Sequence, residues 1–177
     1  MQIEFRYRFE AAHRFLSTDS KPCMTPHGHS WHATLGLEFI GQSLNASQMT
    51  VEFSEIKKDW KKLIQENLDH SYLHNINDPI VEVLKSGNAE PRLLPFPGDP
   101  TTEIIALFLF SKMDRIIQAG PYKDQVQVCS IGIEETTTNK IVCSRTFFAD
   151  QIAQYENYQG WWHSTDVADR SFKSTKP

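Results

Sequence analysis

The segment Cys23-Met-Thr-Pro-His27-Gly-His29-Ser-Trp31-His32 contains one thiol and three imidazoles within ten residues. His27 and His29 are two positions apart, so on an extended strand both side chains point to the same face. Neutral imidazoles are common zinc ligands and hold the ion at about 2.0–2.1 Å. Two such histidines on one strand would make half of a metal site, which could be an open zinc site or a closed structural site.

His13 is the third candidate ligand. Residues 2–12 alternate between apolar and polar side chains, and the same alternation places His13 on the apolar face. On spacing alone, the histidines are either metal ligands or core side chains that hydrogen bond to backbone carbonyls. Cys23 is a fourth ligand in a closed site, a thiolate beside the metal, or a loop thiol without a role. Spacing leaves these alternatives open.

Other polar residues could also carry chemistry. Asp69 could orient His70 as a proton shuttle if irregular backbone turns these adjacent side chains toward each other. Glu135 completes the apolar face of a predicted strand over residues 125–135. Glu103 opens a predicted helix, where the helix dipole favours a carboxylate. Capping or surface roles remain alternatives for each of these residues.

Hydrophobic periodicity predicts four strands and two helices that position these side chains. The strands cover about residues 2–12, 27–40, 125–135 and 140–148, and the helices cover about 53–64 and 100–119. Asp99 is expected to cap the second helix, and Pro100 to take its first position. In the third strand, Cys129, Ile131 and Ile133 are predicted to share the apolar face.

A single domain is expected, because 177 residues are enough for one core. It would span residues 1–149, with an insertion at about 80–98 and a C-terminal extension over 150–177. Residues 68–75 are predicted to be irregular. Residues 76–98 are predicted to be a functional or mobile loop or insertion, since they are too long for a plain connection.

The composition excludes several classes of protein. The net charge is −4 and the sequence has no run of Lys or Arg, so nothing in it indicates a basic surface that binds nucleic acid. No apolar run is long enough to cross a membrane, and the alternating first residues are unlike a signal or transit peptide. Three irregularly spaced cysteines predict reduced thiols. We expect a soluble cytoplasmic protein without nucleic-acid or membrane partners.

Taken together, these residues resemble the motifs of the 6-pyruvoyl-tetrahydropterin synthase and 6-carboxy-tetrahydropterin synthase family, over roughly residues 2–148. The matching segments are Phe9-Glu-Ala-Ala-His13, Cys23-x₃-His27-Gly-His29, Phe53 with the following Ile-Lys, Leu68-Asp-His70-x-Tyr72-Leu, Pro100-Thr-Thr-Glu103 and Glu135-Thr136. The resemblance implies the tunnelling fold (T-fold), a four-stranded antiparallel sheet with two helices on one face in the order ββααββ. It also implies a homo-oligomer, commonly trimers paired into a hexamer, with active sites between subunits.

The resemblance implies a role for each matched position. Three residues would hold a catalytic Zn²⁺: His13, His27 and His29. Three would move protons: Cys23 as the general base, and Asp69 with His70 as the relay. Four would contact the pterin ring: Glu135 as its anchor, with Thr101, Thr102 and Glu103 nearby.

The family substrate is 7,8-dihydroneopterin triphosphate. The three-residue gap between Cys23 and His27 resembles the bacterial branch that feeds queuosine synthesis. That branch converts the substrate to 6-carboxy-5,6,7,8-tetrahydropterin and releases acetaldehyde and triphosphate. The alternatives are a 6-pyruvoyl-tetrahydropterin synthase, which keeps the side-chain carbons, and a non-catalytic oligomer that binds zinc or pterin. The chain departs from the family pattern at Glu52, where aspartate is usual, and in its long insertion.

Overall fold

The computed structural model describes residues 1–87 and 90–158, the last three by their backbone alone. The elements in chain order are β1 (Gln2–His13), α1 (Lys21–Met24), β2 (His27–Phe39), α2 (Phe53–Asn67), β3 (Ser71–Asn75), α3 (Ile80–Lys85), β4 (Leu93–Phe96), α4 (Thr102–Ala119), β5 (Val126–Glu134), β6 (Lys140–Ser144), α5 (Arg145–Ile152) and a 3₁₀ helix (Ala153–Tyr158). The four predicted strands and two predicted helices are all present, as β1, β2, β5, β6, α2 and α4.

The strands form one sheet in the order β4-β3-β1-β2-β5-β6. The pairs β1–β2, β2–β5 and β5–β6 are antiparallel, whereas β3 runs parallel to β1 and β4 runs parallel to β3. The fold is therefore α+β, as predicted, but the predicted four-stranded antiparallel sheet and the order ββααββ are wrong. The described part of the chain has six strands, two of them between α2 and α4.

The two additional strands account for residues predicted to be irregular or looped. β3 has five residues and β4 has four, too few for an alternating pattern to stand out. β4 is an edge strand of the sheet. Pro95, which has no N–H to donate, is tolerated there because an edge strand pairs with a neighbour on one side only. Of the predicted insertion, residues 88–89 lie outside the described residues. Of the predicted C-terminal extension, residues 159–177 do.

The core lies between the sheet and the helices α2 and α4. The predicted inward face of β1 is buried, and β2 alternates in register with it. α2 buries one stripe, and α4 is buried over most of its surface. The largest fully buried side chains come from all of these elements: Phe9, Trp31, Trp60, Phe108 and Phe110. Burying each side chain of this kind stabilises the fold by about 1.5–3 kcal/mol, which fixes the strands that carry the histidines.

A bulge in β5 changes which of its side chains face the core. The pairing of β5 with β2 shifts between Gly36 and Leu37, opposite Cys129. Val128 and Ile131 are therefore both buried, while Cys129 is only partly buried. The prediction that Cys129 shares the apolar face is wrong, because an inserted residue reverses the alternation.

The boundaries of α4 also differ from the prediction. Thr101 caps the helix, since its side chain accepts the Ile104 N–H, and the helix begins at Thr102. Asp99 instead accepts the backbone N–H groups of Leu16 and Ser17 at 2.9 and 2.7 Å. A tertiary contact thus uses the carboxylate that local sequence assigns to a helix cap.

The predicted strand over residues 140–148 is shorter than expected. β6 ends at Ser144, whose hydroxyl accepts the Phe147 N–H at 3.2 Å and so caps α5. Serine is a favoured N-cap residue, and this local hydrogen bond competes with extension of the strand. No helix in the described part of the chain is both long and apolar enough to span a bilayer.

Candidate active site

Three histidines converge where β1 and β2 pair. His13 lies opposite His27, and Ala11 lies opposite His29. The ring centroids of the three imidazoles are 4.6, 5.2 and 4.9 Å apart, and one nitrogen from each lies within 4.8 Å of the others. The structure therefore brings together the three side chains that their shared parity predicted to point the same way.

Backbone carbonyls fix the orientation of two of these rings. The Nδ1–H of His13 donates to the Pro100 carbonyl at 2.9 Å, and the Nδ1–H of His27 donates to the Thr25 carbonyl at 2.7 Å. Because a carbonyl can only accept, Nδ1 carries the proton and Nε2 keeps its lone pair. Such a bond on the second nitrogen is typical of metal-binding histidines.

Two nitrogens in the cluster are buried without a hydrogen-bond partner. They are Nε2 of His13 and Nε2 of His29. A buried polar atom left unpaired costs about 1–3 kcal/mol, and two side by side point to a missing partner. A metal ion that accepts both lone pairs fits these residues, and three imidazoles suit Zn²⁺. A fourth position would then stay open.

Burial favours the neutral, metal-binding form of two of these histidines, His13 and His29. His13 is fully buried, and desolvation, together with the nearby imidazoles of His27 and His29, lowers its pKa to about 4. Burial likewise lowers the pKa of His29, although the Glu135 carboxylate opposes this. An imidazole must be neutral to bind a metal, so these shifts favour ligation at neutral pH.

We expect the metal-free chain to lose stability as the pH falls. The pKa of His13 is about 4 in the folded chain, against 6.5 for an imidazole in water. Between these two pH values the unfolded chain therefore binds more protons than the folded chain. The stabilisation present above pH 6.5 should decline by about 2 kcal/mol at pH 5 and by about 3 kcal/mol near pH 4. Urea unfolding after chelator treatment measures this loss. His13→Asn should flatten the pH dependence and His32→Ala should preserve it; an equally steep dependence in His13→Asn would refute the assignment.

Asp99 holds the backbone that orients His13. Besides the N–H groups of Leu16 and Ser17, it accepts the Asn75 side-chain N–H at 2.9 Å. Burial raises the pKa of Asp99, but these hydrogen bonds outweigh it and bring the pKa below its usual value. Asp99 precedes Pro100, so the carboxylate fixes the segment whose carbonyl contacts the first histidine.

Asp99→Ala should weaken metal binding by up to about 10-fold, the lower end of the range for lost outer-shell partners, because Asp99 supports the Pro100 carbonyl and does not itself contact a histidine. All three ligands would remain, but the Pro100 carbonyl would lose its support. Competition with a chromophoric chelator measures the affinity. Asp19→Ala, which removes an exposed loop carboxylate, is the matched control. Equal affinity in Asp99→Ala and wild type would show that Asp99 supports only the loop.

Cys23 lies in α1, immediately before β2, and is partly buried. Its carbonyl accepts the Phe15 N–H at 2.8 Å, which ties α1 to the chain just beyond β1. The group of ligand atoms within 4.8 Å of one another includes His13, His27 and His29 but not the thiol. The Cys23 thiol is therefore near the histidines in sequence but is not one of the close group of possible metal ligands.

Asp69 and His70 connect α2 to β3 and contact β1. Asp69 Oδ1 accepts the Glu10 N–H at 3.0 Å, and the His70 N–H donates to the Glu10 carbonyl at 2.6 Å. His70 has φ +54°, a left-handed conformation that turns the chain sharply. Its Nε2 lies 3.9 Å from Asp69 Oδ1, so the adjacent side chains do approach each other. His70 and His29 line the same cavity of about 430 Å³.

Glu135 lies beside the histidines. Its Oε1 is 3.6 Å from Nε2 of His13 and 3.9 Å from Nε2 of His29. Its position follows from β2 and β5, since Glu134 pairs with His32 and Glu135 is the next residue. A carboxylate here offers an acceptor to any ligand held at the cluster.

Thr101, Thr102 and Glu103 lie at the start of α4. The Thr102 hydroxyl donates to the Glu103 carboxylate at 2.9 Å. Burial raises the pKa of Glu103, but hydrogen bonds from its own N–H and from the hydroxyls of Thr101 and Thr102 outweigh it, leaving the pKa below its usual value. Thr101 and Glu103 line a second cavity, of about 410 Å³, which Asp99 also borders.

The sequence prediction missed several contributors to the site. The backbone carbonyls of Thr25 and Pro100 could not be predicted as contacts of the histidines, because every residue has a carbonyl whatever its side chain. Asp99 was recognised as polar but assigned to a cap. Arg14, which follows His13, pairs with the buried Asp78, whose carboxylate also accepts the Tyr72 hydroxyl at 3.0 Å. A buried Arg–Asp pair across 64 residues has no signal in local spacing.

Known proteins share this chain's motifs and fold. The family model described as 6-pyruvoyl tetrahydropterin synthase matches residues 2–146. A relative from Aquifex aeolicus (strain VF5), named 6-carboxy-5,6,7,8-tetrahydropterin synthase, is 28% identical over 156 residues, covering 78% of this chain and 94% of the relative.

Solved structures resemble the fold. An uncharacterized protein from Wolinella succinogenes superposes with a TM-score of 0.67 at 22% identity, covering 82% of this chain and 98% of that chain. The 6-pyruvoyl tetrahydropterin synthase of Caenorhabditis elegans superposes with a TM-score of 0.56 at 22% identity, covering 81% of this chain and 94% of that chain. At this identity the superpositions establish a common fold.

Proposed function

Because the chain belongs to the 6-pyruvoyl tetrahydropterin synthase family, we propose that it is a zinc-dependent 6-carboxy-5,6,7,8-tetrahydropterin synthase. It would convert 7,8-dihydroneopterin triphosphate to 6-carboxy-5,6,7,8-tetrahydropterin and release acetaldehyde and triphosphate, a step toward queuosine. The chain is a lyase-type enzyme of this family, and its similarity to relatives named for the 6-carboxy product favours that reaction.

One observation carries the proposal: two imidazole nitrogens are buried and unpaired in a cluster whose three histidines each place a ligand atom within 4.8 Å of the others. Nε2 of His13 and Nε2 of His29 lack partners, and carbonyls orient His13 and His27. Zinc bound by these three residues would act as a Lewis acid toward the hydroxyl oxygens of the substrate side chain. Three protein ligands leave a position for those oxygens, as in catalytic rather than structural zinc sites.

The remaining residues have roles that suit their positions. The Cys23 thiolate would remove a proton from a side-chain carbon, since a nearby cation favours the thiolate form. Asp69 and His70 would return protons; the 76% exposure of the His70 side chain keeps it within reach of solvent. Glu135 would accept two parallel hydrogen bonds from the guanidine-like edge of the pterin ring. Thr101, Thr102 and Glu103 would contact the ring from the start of α4.

We propose that the subunits assemble through the T-fold, with trimers paired into hexamers and active sites between subunits. Two observations support this. β4 and β6 are edge strands of an open sheet, and unpaired strand edges are ready surfaces for association. None of the residues that line the Glu103 cavity belongs to the histidine cluster. A cytoplasmic location is proposed with it, supported by three free cysteines.

A 6-pyruvoyl-tetrahydropterin synthase is the second candidate. It is favoured by the description of the family model that matches the chain. That reaction eliminates triphosphate but keeps the side-chain carbons, so it releases no acetaldehyde. A non-catalytic zinc or pterin binder is a third candidate and would release neither product.

The test is a product assay on 7,8-dihydroneopterin triphosphate with purified protein, before and after chelation. We expect acetaldehyde and triphosphate in equal amounts, loss of both with chelator, and recovery when zinc is restored. Triphosphate without acetaldehyde would favour the 6-pyruvoyl reaction. Neither product from zinc-loaded protein would contradict enzymatic function on this substrate.

A further inference from the structure

Most of α5 lies beyond residue 146, where the family match ends, yet the helix closes a cavity at the start of α4. Phe147 and Gln151, with Tyr155 just after the helix, line the 410 Å³ cavity. Thr101 and Glu103 line the same cavity. The cavity therefore combines family motif residues with side chains that the family match does not cover.

Other side chains of α5 anchor the helix. Phe148 stacks on Phe110 with centroids 4.3 Å apart and an interplanar angle of 11°. Arg145 pairs with Asp114, and its Nε donates to the Val128 carbonyl at 2.6 Å. These contacts set the position of α5 without using the side chains that line the cavity.

Phe147 and Gln151 are one turn apart, so they share the cavity face. Phe147 is 45% exposed, which means that its ring contributes little to the core and presents apolar surface to the cavity. Gln151 adds an amide that can both donate and accept hydrogen bonds. α5 thus contributes an aromatic face and a bifunctional polar group to a cavity that Glu103 also lines.

This lining matches a flat, nitrogen-rich ring whose edge donates hydrogen bonds to a carboxylate. We propose that Phe147 and Gln151 determine specificity for the pterin ring, with the Phe147 ring stacking on the heterocycle and Gln151 pairing with its polar edge. The proposal rests on the function proposed above, because it takes the ring from that substrate. It assigns a binding role to α5, which lies at the end of the described chain.

The experiment uses the full chain loaded with zinc and compares Phe147→Ala, Gln151→Ala, Phe147→Tyr and the control Asp150→Ala on the exposed side of α5. Triphosphate release from 7,8-dihydroneopterin triphosphate gives kcat and KM. Fluorescence titration with neopterin measures ring binding without the triphosphate. Phe147→Ala should raise KM and the neopterin Kd about tenfold, within the range for loss of a stacked base. Gln151→Ala should raise both about threefold, as for one lost hydrogen bond.

Phe147→Ala and Gln151→Ala are expected to weaken the ground state and the transition state equally, so kcat should stay unchanged. Phe147→Tyr keeps the stacking face and should retain wild-type values, as should Asp150→Ala. Unchanged KM and Kd in Phe147→Ala, with an active wild type, would overturn this proposal and leave the proposed function intact. An inactive wild type would instead refute the proposed function. Zinc content and melting temperature are measured for each variant. If Phe147→Ala has less zinc or a lower melting temperature than wild type, and Phe147→Tyr also has a raised neopterin Kd, then Phe147 has a structural role and the proposal is wrong.

Discussion

Replacing His27 with alanine is expected to remove the metal from the chain and to abolish turnover. The His27 ring is oriented by the Thr25 carbonyl, and its free nitrogen belongs to the group of three within 4.8 Å. Loss of an outer-shell partner costs about 10- to 100-fold in metal affinity, so loss of a ligand should cost at least about 1,000-fold. Zinc per chain, measured by atomic emission after gel filtration, should fall from about one to near zero.

His32→Ala is the matched control for this experiment. His32 lies on the same strand but at the opposite parity, where it pairs with Arg8 in β1. Removing this imidazole changes the histidine count by the same amount without touching the cluster. It should retain zinc and turnover. Full zinc occupancy in His27→Ala would mean that the cluster is not the metal site.

The second large effect is expected for Cys23→Ala, which should retain zinc and lose turnover. The thiol is not part of the close donor group, so its removal leaves all three imidazoles in place. Loss of a general base typically lowers the rate by about 10²- to 10⁴-fold. The fall should appear in kcat, because the base acts in the transition state more than in substrate binding.

Cys129→Ala controls for the loss of a thiol. Cys129 is partly buried in β5, and its sulfur lies 3.9 Å from the Ser130 hydroxyl. Zinc content and kcat should both match wild type in this variant. Loss of zinc in Cys23→Ala would show instead that the cysteine is a fourth ligand, and the site would then be closed and structural.

Prediction that the three histidines converge succeeded because strand geometry is rigid. Side chains alternate with a period of two, so His13, His27 and His29 had to share the buried face once β1 and β2 were extended. The antiparallel register then determined that His13 and His27 lie directly opposite each other. Alternation of apolar residues specified the face, but not this register.

Groups that depend on irregular backbone were less predictable. Adjacent side chains such as Asp69 and His70 diverge on regular elements, and only the left-handed conformation of His70 brings them to 3.9 Å. Local periodicity placed Glu135 on an apolar face, but only the pairing of β2 with β5 brings its carboxylate to 3.6 Å from His13.

The sequence by itself determined the type of elements, the buried faces of β1 and β2, and the residues able to hold a metal, since these follow from local periodicity and side-chain chemistry. The tertiary structure alone decided that β3 and β4 join the sheet, that Asp99 supports the His13 segment, and that α5 faces the Glu103 cavity. Each of these depends on contacts between distant segments. Their free energy comes from packing and hydrogen bonds that no local pattern records.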